Sequence, residues 1–99
     1  METVQGVFLE ALNPGTTIDL ETKSRTYRLE YVNGDVVRVS GHPSICPAPR
    51  EMHLRGSTVG FDEVQPGFIG PGMRLVLDKP EEGLSVTTSE VISIVVNRN

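Results

Sequence analysis

Apolar and polar positions alternate along most of the chain. Met73, Leu75 and Leu77 alternate with Arg74, Val76 and Asp78. A period of two sets these groups on opposite faces of a strand. Lys79-Pro80-Glu81-Glu82-Gly83 interrupts the pattern. Proline cannot donate to a ladder and glycine accepts positive φ, so this stretch reads as a hairpin loop. Residues 84–88 resume the alternation, with Leu84 and Val86 on one face. Thr88-Ser89-Glu90 is polar and predicts a bend. Residues 91–96 are β-branched at every position but Ser93, which predicts a strand buried on both faces.

The same period appears earlier. Residues 16–22 place Ile18 and Leu20 inward and Asp19 and Glu21 outward, and Lys23-Ser24 supplies a tight turn. Residues 25–32 follow, with Tyr27, Leu29 and Tyr31 on one face and Arg28 and Glu30 on the other. Asn33-Gly34 is a strong hairpin signal, because a type I′ turn needs positive φ at both central residues. Residues 35–40 form the return strand, and the three strands make a meander by the shortest connections. Residues 41–49, GHPSICPAP, hold three prolines and predict an extended, polyproline-like loop. Residues 51–56 predict a short strand with Met52 and Leu54 inward and Glu51, His53 and Arg55 outward. Residues 57–72 read as a glycine- and proline-rich connection.

The N-terminus follows a different period. Val4, Val7, Phe8, Ala11 and Leu12 fall at i, i+3, i+4, i+7 and i+8, one helical face. Thr3 would cap this helix and Asn13-Pro14-Gly15 would stop it. Gly6 weakens it by ~1 kcal/mol relative to alanine. A helix this short needs a sheet to dock on, and its simplest role is to cover an open end. The sum predicts a single mainly β domain over residues 1–99. It would hold six to seven short strands in a small, partly open antiparallel barrel of the SH3 or OB kind, or in two packed sheets, with one short N-terminal helix.

Composition narrows the setting. Ninety-nine residues suit one domain, and with 5% aromatic residues and no tryptophan the core must come from Val, Leu and Ile. A formal net charge of -4 argues against nucleic-acid or anionic-membrane partners, which need Lys and Arg against phosphate. The single cysteine, Cys46, excludes an intramolecular disulfide. No signal-peptide pattern and no apolar run of about 20 residues stands in the sequence, so the expected setting is cytoplasmic and off the membrane.

Candidate chemistry is sparse, and no cofactor is expected. His42, Cys46 and His53 are the soft metal ligands, but His-x₃-Cys followed by a distant histidine is not a standard zinc spacing. Asp62 or Glu63 would have to complete such a site. Cys46 with His42 would make a nucleophile and base, yet no orienting third group or oxyanion hole accompanies them. Gly67-Phe68-Ile69-Gly70-Pro71-Gly72 lacks the Gly-Lys-Ser/Thr ending of a phosphate loop and leads into a strand. It either presents Phe68 and Ile69, with Phe61 nearby, to a partner, or plugs the core with them. Arg74 beside it either binds an anion or pairs across strands. Tyr27 and Tyr31 with Arg25 and Arg28 have the composition of a single-strand nucleic-acid surface but alternate like core residues.

Pro14-Gly15-Thr16, Ser40-Gly41-His42-Pro43 with Cys46-Pro47, Arg55-Gly56-Ser57, Phe68-Ile69-Gly70 with Gly72-Met73-Arg74-Leu75, and Val86-Thr87-Thr88-Ser89 are shared motifs. On them the chain resembles a group of small bacterial proteins of unassigned function. The resemblance covers most of the chain after residue 13. It implies a compact β domain from a bacterium and brings no activity, ligand or catalytic residue to carry over. With no assembled catalytic set, the expectation is a non-enzymatic domain that binds another protein or itself through Phe68, Ile69, Arg74 and Phe61. The alternative is a small-molecule or metal-dependent function centred on the His42/Cys46 loop and Arg74.

Overall fold

The computed structural model describes residues 2–44, 47–60 and 63–98. Strands run in the order β1 (Glu2–Thr3), β2 (Val7–Phe8), β3 (Thr17–Thr22), β4 (Thr26–Asn33), β5 (Val36–Ser40), β6 (Arg50–Thr58), β7 (Val64–Pro66), β8 (Phe68–Ile69), β9 (Arg74–Lys79) and β10 (Leu84–Asn97). Six of them, β3, β4, β5, β6, β9 and β10, pair antiparallel in a closed ring, each with a neighbour on both sides. β1 adds to β10 and β7 adds to β6. β2 and β8 form a separate two-stranded ribbon. No helix among the described residues is long and apolar enough to cross a membrane.

Alternation in the sequence becomes the inside and outside of this ring. Ile18, Leu20, Tyr27, Leu29, Tyr31, Val37, Val39, Met52, Leu54, Leu75 and Leu77 are buried in one cluster. Each large aliphatic side chain removed from water there contributes roughly 1.5–3 kcal/mol. Both tyrosines face this core, and the Tyr31 hydroxyl donates to the Gly34 carbonyl at 3.0 Å. The β4–β5 turn falls one residue later than its sequence signal. Tyr31 pairs with Val37 and Asn33 with Val36, so Val32 is an extra residue and Gly34-Asp35 is the loop. Gly34 takes φ +55° there, a conformation costly for other residues.

The helix expected over residues 4–12 does not form. Val7–Phe8 is strand and Leu9–Ala11 is a single 3-10 turn. Tertiary partners take the donors a helix would have used. The Val4 N–H donates to Ile94 O at 3.0 Å and the Leu9 N–H to Gly67 O at 2.8 Å. Of the expected face, Val7 and Leu12 enter the core and Val4 packs against it, while Phe8 and Ala11 stay outside and Leu9 is buried in their place. The connection over residues 57–72 is likewise more ordered than expected, since it holds β7, β8 and the end of β6.

β10 joins the runs 84–88 and 91–96 into one strand with two register breaks. Its first half pairs with β9 and its second half with β3. One extra residue lies between Thr87 and Glu90, and another between Val91 and Ser93. The predicted bend is therefore a bulge and a change of partner. At that joint buried Thr88 replaces a missing ladder group. Its Oγ1 accepts the Leu75 N–H at 3.0 Å and donates to Ser89 O at 2.8 Å. The second bulge turns Val91, Ile94 and Val96 inward and leaves Ile92 52% exposed. Burial on both faces of residues 91–96 is thus corrected to burial on one, because only the inner side of the ring has a core to face.

Candidate functional site

The β2–β8 ribbon has one face in the core and one in solvent. Val7 pairs with Ile69 and Phe8 with Phe68. Successive residues of a strand point to opposite faces, so the Val7–Ile69 pair is buried and the Phe8–Phe68 pair faces solvent. Phe8 is 42% exposed and Phe68 half-buried. Their rings lie 4.7 Å apart at centroid and are tilted by 44°. Two glycines leave room for this arrangement. A Cβ on Gly6 would stand 2.7 Å from Phe68 Cζ. One on Gly70 would stand 2.6 Å from Phe68 Cε2 and 2.7 Å from Met73 Sδ. The Phe68 ring therefore rests against the backbone at both glycines, with the Met73 thioether alongside.

The ribbon is fixed to the ring below it. Ser57 Oγ donates to Phe68 O at 2.5 Å, and the Gly67 N–H donates to Arg55 O at 3.0 Å. Thr58 of β6 pairs with Arg74 of β9, which pairs with Glu90 of β10. The next position along each strand is then Val59, Met73 and Val91, and the Val91 N–H donates to Met73 O at 2.8 Å. Val59 is 60% exposed, and exposed Ile92 follows Val91.

The structure separates the residues singled out from sequence. Phe68 reaches the surface, but Ile69 is fully buried and acts as core, which corrects its expected presentation to a partner. Phe61 lies outside the described residues. Arg74 donates to Thr88 O at 3.4 Å, within the sheet. His42 Nδ1 accepts the Ser44 N–H at 3.1 Å, whereas His53 Nδ1 pairs with Asp35 Oδ1 at 3.0 Å. These histidines stand beyond opposite ends of β5, because His53 pairs with Val36 and His42 follows Ser40. The intervening strand alone spans about 13 Å. Cys46 lies outside the described residues, and among those described no group of three or more His, Cys, Asp or Glu side chains could hold a metal ion. His53 and His42 therefore do not converge on one site.

Phe8 is the site residue that the hydrophobic pattern assigns to the wrong element. Its signal is the strand-like triplet Val7-Phe8-Leu9 preceded by a glycine, overlain by an accidental helical spacing. The outer face of β3–β6 carries a hollow of its own. Arg28 meets Asp19 at 2.9 Å, and Arg38 meets Glu30 at 3.0 Å and Glu51 at 3.1 Å. The shallow hollow between Thr17, Arg28, Glu30, Arg38, Ser40 and Pro49 thus has its cations already matched by carboxylates. Another hollow, beside His53, Glu51, Lys79 and Glu81, is polar and mixed in sign. Comparison of the chain with protein-family models, curated proteins and solved structures finds no match.

Proposed function

We propose that the protein is a binding module whose contact surface is the outward face of the β2–β8 ribbon, with a protein as partner. The exposed Phe8–Phe68 pair carries this reading. Aromatic side chains bury large areas and dominate interface energetics. Here the Phe68 ring is held over backbone glycines and its carbonyl is tied to β6, so little of its conformational freedom is lost on binding. The net charge of -4 favours a protein over a nucleic-acid partner. The closed ring also favours contact through side chains. Among the described residues only short β1 and β7 extend it, and β7 ends in Pro66. Neither offers a long edge for strand addition.

The test compares two baits in lysate of the host, the wild type and Phe8→Ser. The wild type should retain a defined protein that Phe8→Ser loses at least tenfold. Both baits should melt within about 10 °C of each other, since one aromatic pair contributes about 0.5–1.5 kcal/mol and each kcal/mol moves the melting of a chain this size by about 4–8 °C. Equal retention of the same proteins by both baits would remove this surface from consideration.

A further inference from the structure

We propose that Asn33 is a site of spontaneous covalent modification: the Gly34 backbone nitrogen attacks the Asn33 side-chain amide, and position 33 becomes isoaspartate and aspartate in the folded protein. The inference does not depend on the aromatic ribbon.

Four observations carry it. First, of the asparagines Asn13, Asn33, Asn97 and Asn99, only Asn33 precedes a glycine. Glycine has no Cβ to crowd a five-membered ring formed between the asparagine side chain and the next backbone nitrogen. Second, Asn33 and Gly34 are both exposed at the β4–β5 tip, and a Cβ placed on Gly34 would meet nothing within 4 Å. Third, among the described residues no hydrogen bond engages the Asn33 side chain or the Gly34 N–H, so both reacting groups are unencumbered. Fourth, the tip is closed by little. Ring closure requires Asn33 to rotate out of its strand conformation. Against that stand the Asn33–Val36 ladder pair and the Tyr31 hydroxyl, which donates to Gly34 O at 3.0 Å. Opening an exposed hairpin end costs far less than unfolding the chain. The other asparagines with a following residue are protected. Asn13 precedes Pro14, whose nitrogen has no proton to lose. Asn97 is half-buried, pairs with Thr17, and its side chain donates to Asp19 Oδ2 at 3.2 Å.

The reaction needs only water. Hydroxide takes the Gly34 amide proton. The nitrogen bonds to Asn33 Cγ, the Cγ–Nδ2 bond breaks, and ammonia leaves with a proton returned from water. The product is a succinimide, and nothing is oxidised or reduced. Water then opens the ring at one of its two carbonyl carbons. Cleavage of the bond from Gly34 N to Asn33 Cγ leaves aspartate. Cleavage of the bond from Gly34 N to the Asn33 main-chain carbon leaves isoaspartate, whose main chain runs through Cβ and Cγ and is one carbon longer. A longer chain no longer sets position 33 opposite Val36. The same loop carries Asp35, which accepts the Leu54 N–H at 2.7 Å and meets His53, so the change loosens the place where β4, β5 and β6 join.

The experiment ages the folded wild type, folded Asn33→Gln and a free peptide of residues 29–38 side by side in mildly alkaline buffer. Trypsin releases residues 29–38 from the protein, and Asn33 is the one asparagine in that stretch. In aged wild type this fragment should gain the mass of an amide-to-acid exchange and separate into two forms. One of them should accept a methyl group from S-adenosylmethionine in the presence of an isoaspartate methyltransferase. Asn33→Gln, whose ring would have six members, should keep its mass. Conversion in the folded protein should come within about a hundredfold of the free peptide, since only the tip opens. A chain that had to unfold globally would be slower by about a thousandfold or more, and that result overturns the proposal. So does any rate beyond the hundredfold limit, a product with no isoaspartate, or conversion at Asn97 as fast as at Asn33.

Discussion

Thr88 shows how much one side chain can decide. Its hydroxyl accepts the buried Leu75 N–H where the bulge removes the usual ladder partner. Thr88→Val keeps the shape but leaves that N–H unpaired, at a cost of about 1–3 kcal/mol. Thr88→Ser keeps the acceptor and should lose only about the value of a methyl group, roughly 1 kcal/mol. Denaturant titration of the two variants would check the order, and equal losses would contradict the role given to the hydroxyl. The two residues of the ribbon's inner and outer faces differ in the same way. Ile69→Ala opens a hole in the core and should cost about 2–5 kcal/mol. Phe8→Ala forfeits chiefly its ring contact with Phe68, about 0.5–1.5 kcal/mol.

His53 adds a pH-dependent contribution. The Asp35 carboxylate, by hydrogen bond and charge, holds the His53 ring protonated above its ordinary range. Glu81 acts in the same direction and Lys79 against it. The folded state therefore binds this proton more tightly than the unfolded chain, whose histidine titrates near ~6.5. The stabilisation is complete below that value and fades as pH rises through the raised folded one. His53→Gln should melt below the wild type at about pH 5.5, and the gap should narrow by about pH 8.5. A gap that widens with pH would reverse the assignment.

Among the elements, the strands with strict alternation are legible from sequence, and those whose order depends on distant partners are not. β3, β4 and β5 follow their pattern because each packs one face on the core, while β9 buries Val76 as well as Leu75 and Leu77. β2 is obscured because five apolar residues happen to fit a 3.6-residue period. No sequence signal shows that the Leu9 and Val4 N–H groups will find Gly67 and Ile94. For β10, the polar Thr88-Ser89-Glu90 marks the joint but not its kind. A bend and a bulge share a composition and differ in what lies alongside. The aromatic surface is half legible. The glycine-flanked Phe68 stands out, while Phe8 gains meaning only through its pairing across the ribbon. Gly70→Ala tests that link. Its Cβ would displace the Phe68 ring and Met73, so binding by the ribbon should weaken more than the fold does.

At the scale of the molecule, closure depends on contacts between distant parts of the chain. β10 completes the ring by pairing with β3, and Asn97 bonds Asp19 across 78 residues of sequence at 3.2 Å. Folds dominated by such pairings pass their barrier slowly, in about milliseconds to seconds. Stopped-flow refolding should fall in that range, and a microsecond phase carrying the full amplitude would contradict it.

Closure also governs how the protein can fail. Most ladder groups of the ring strands are taken by neighbours, so among the described residues the free stretches of backbone edge, such as the first half of β10, are short templates for amyloid growth. Fibrils of this chain would have to start from opened molecules. Their lag time should then follow the rate of unfolding, and any ligand that holds β10 in place should delay them.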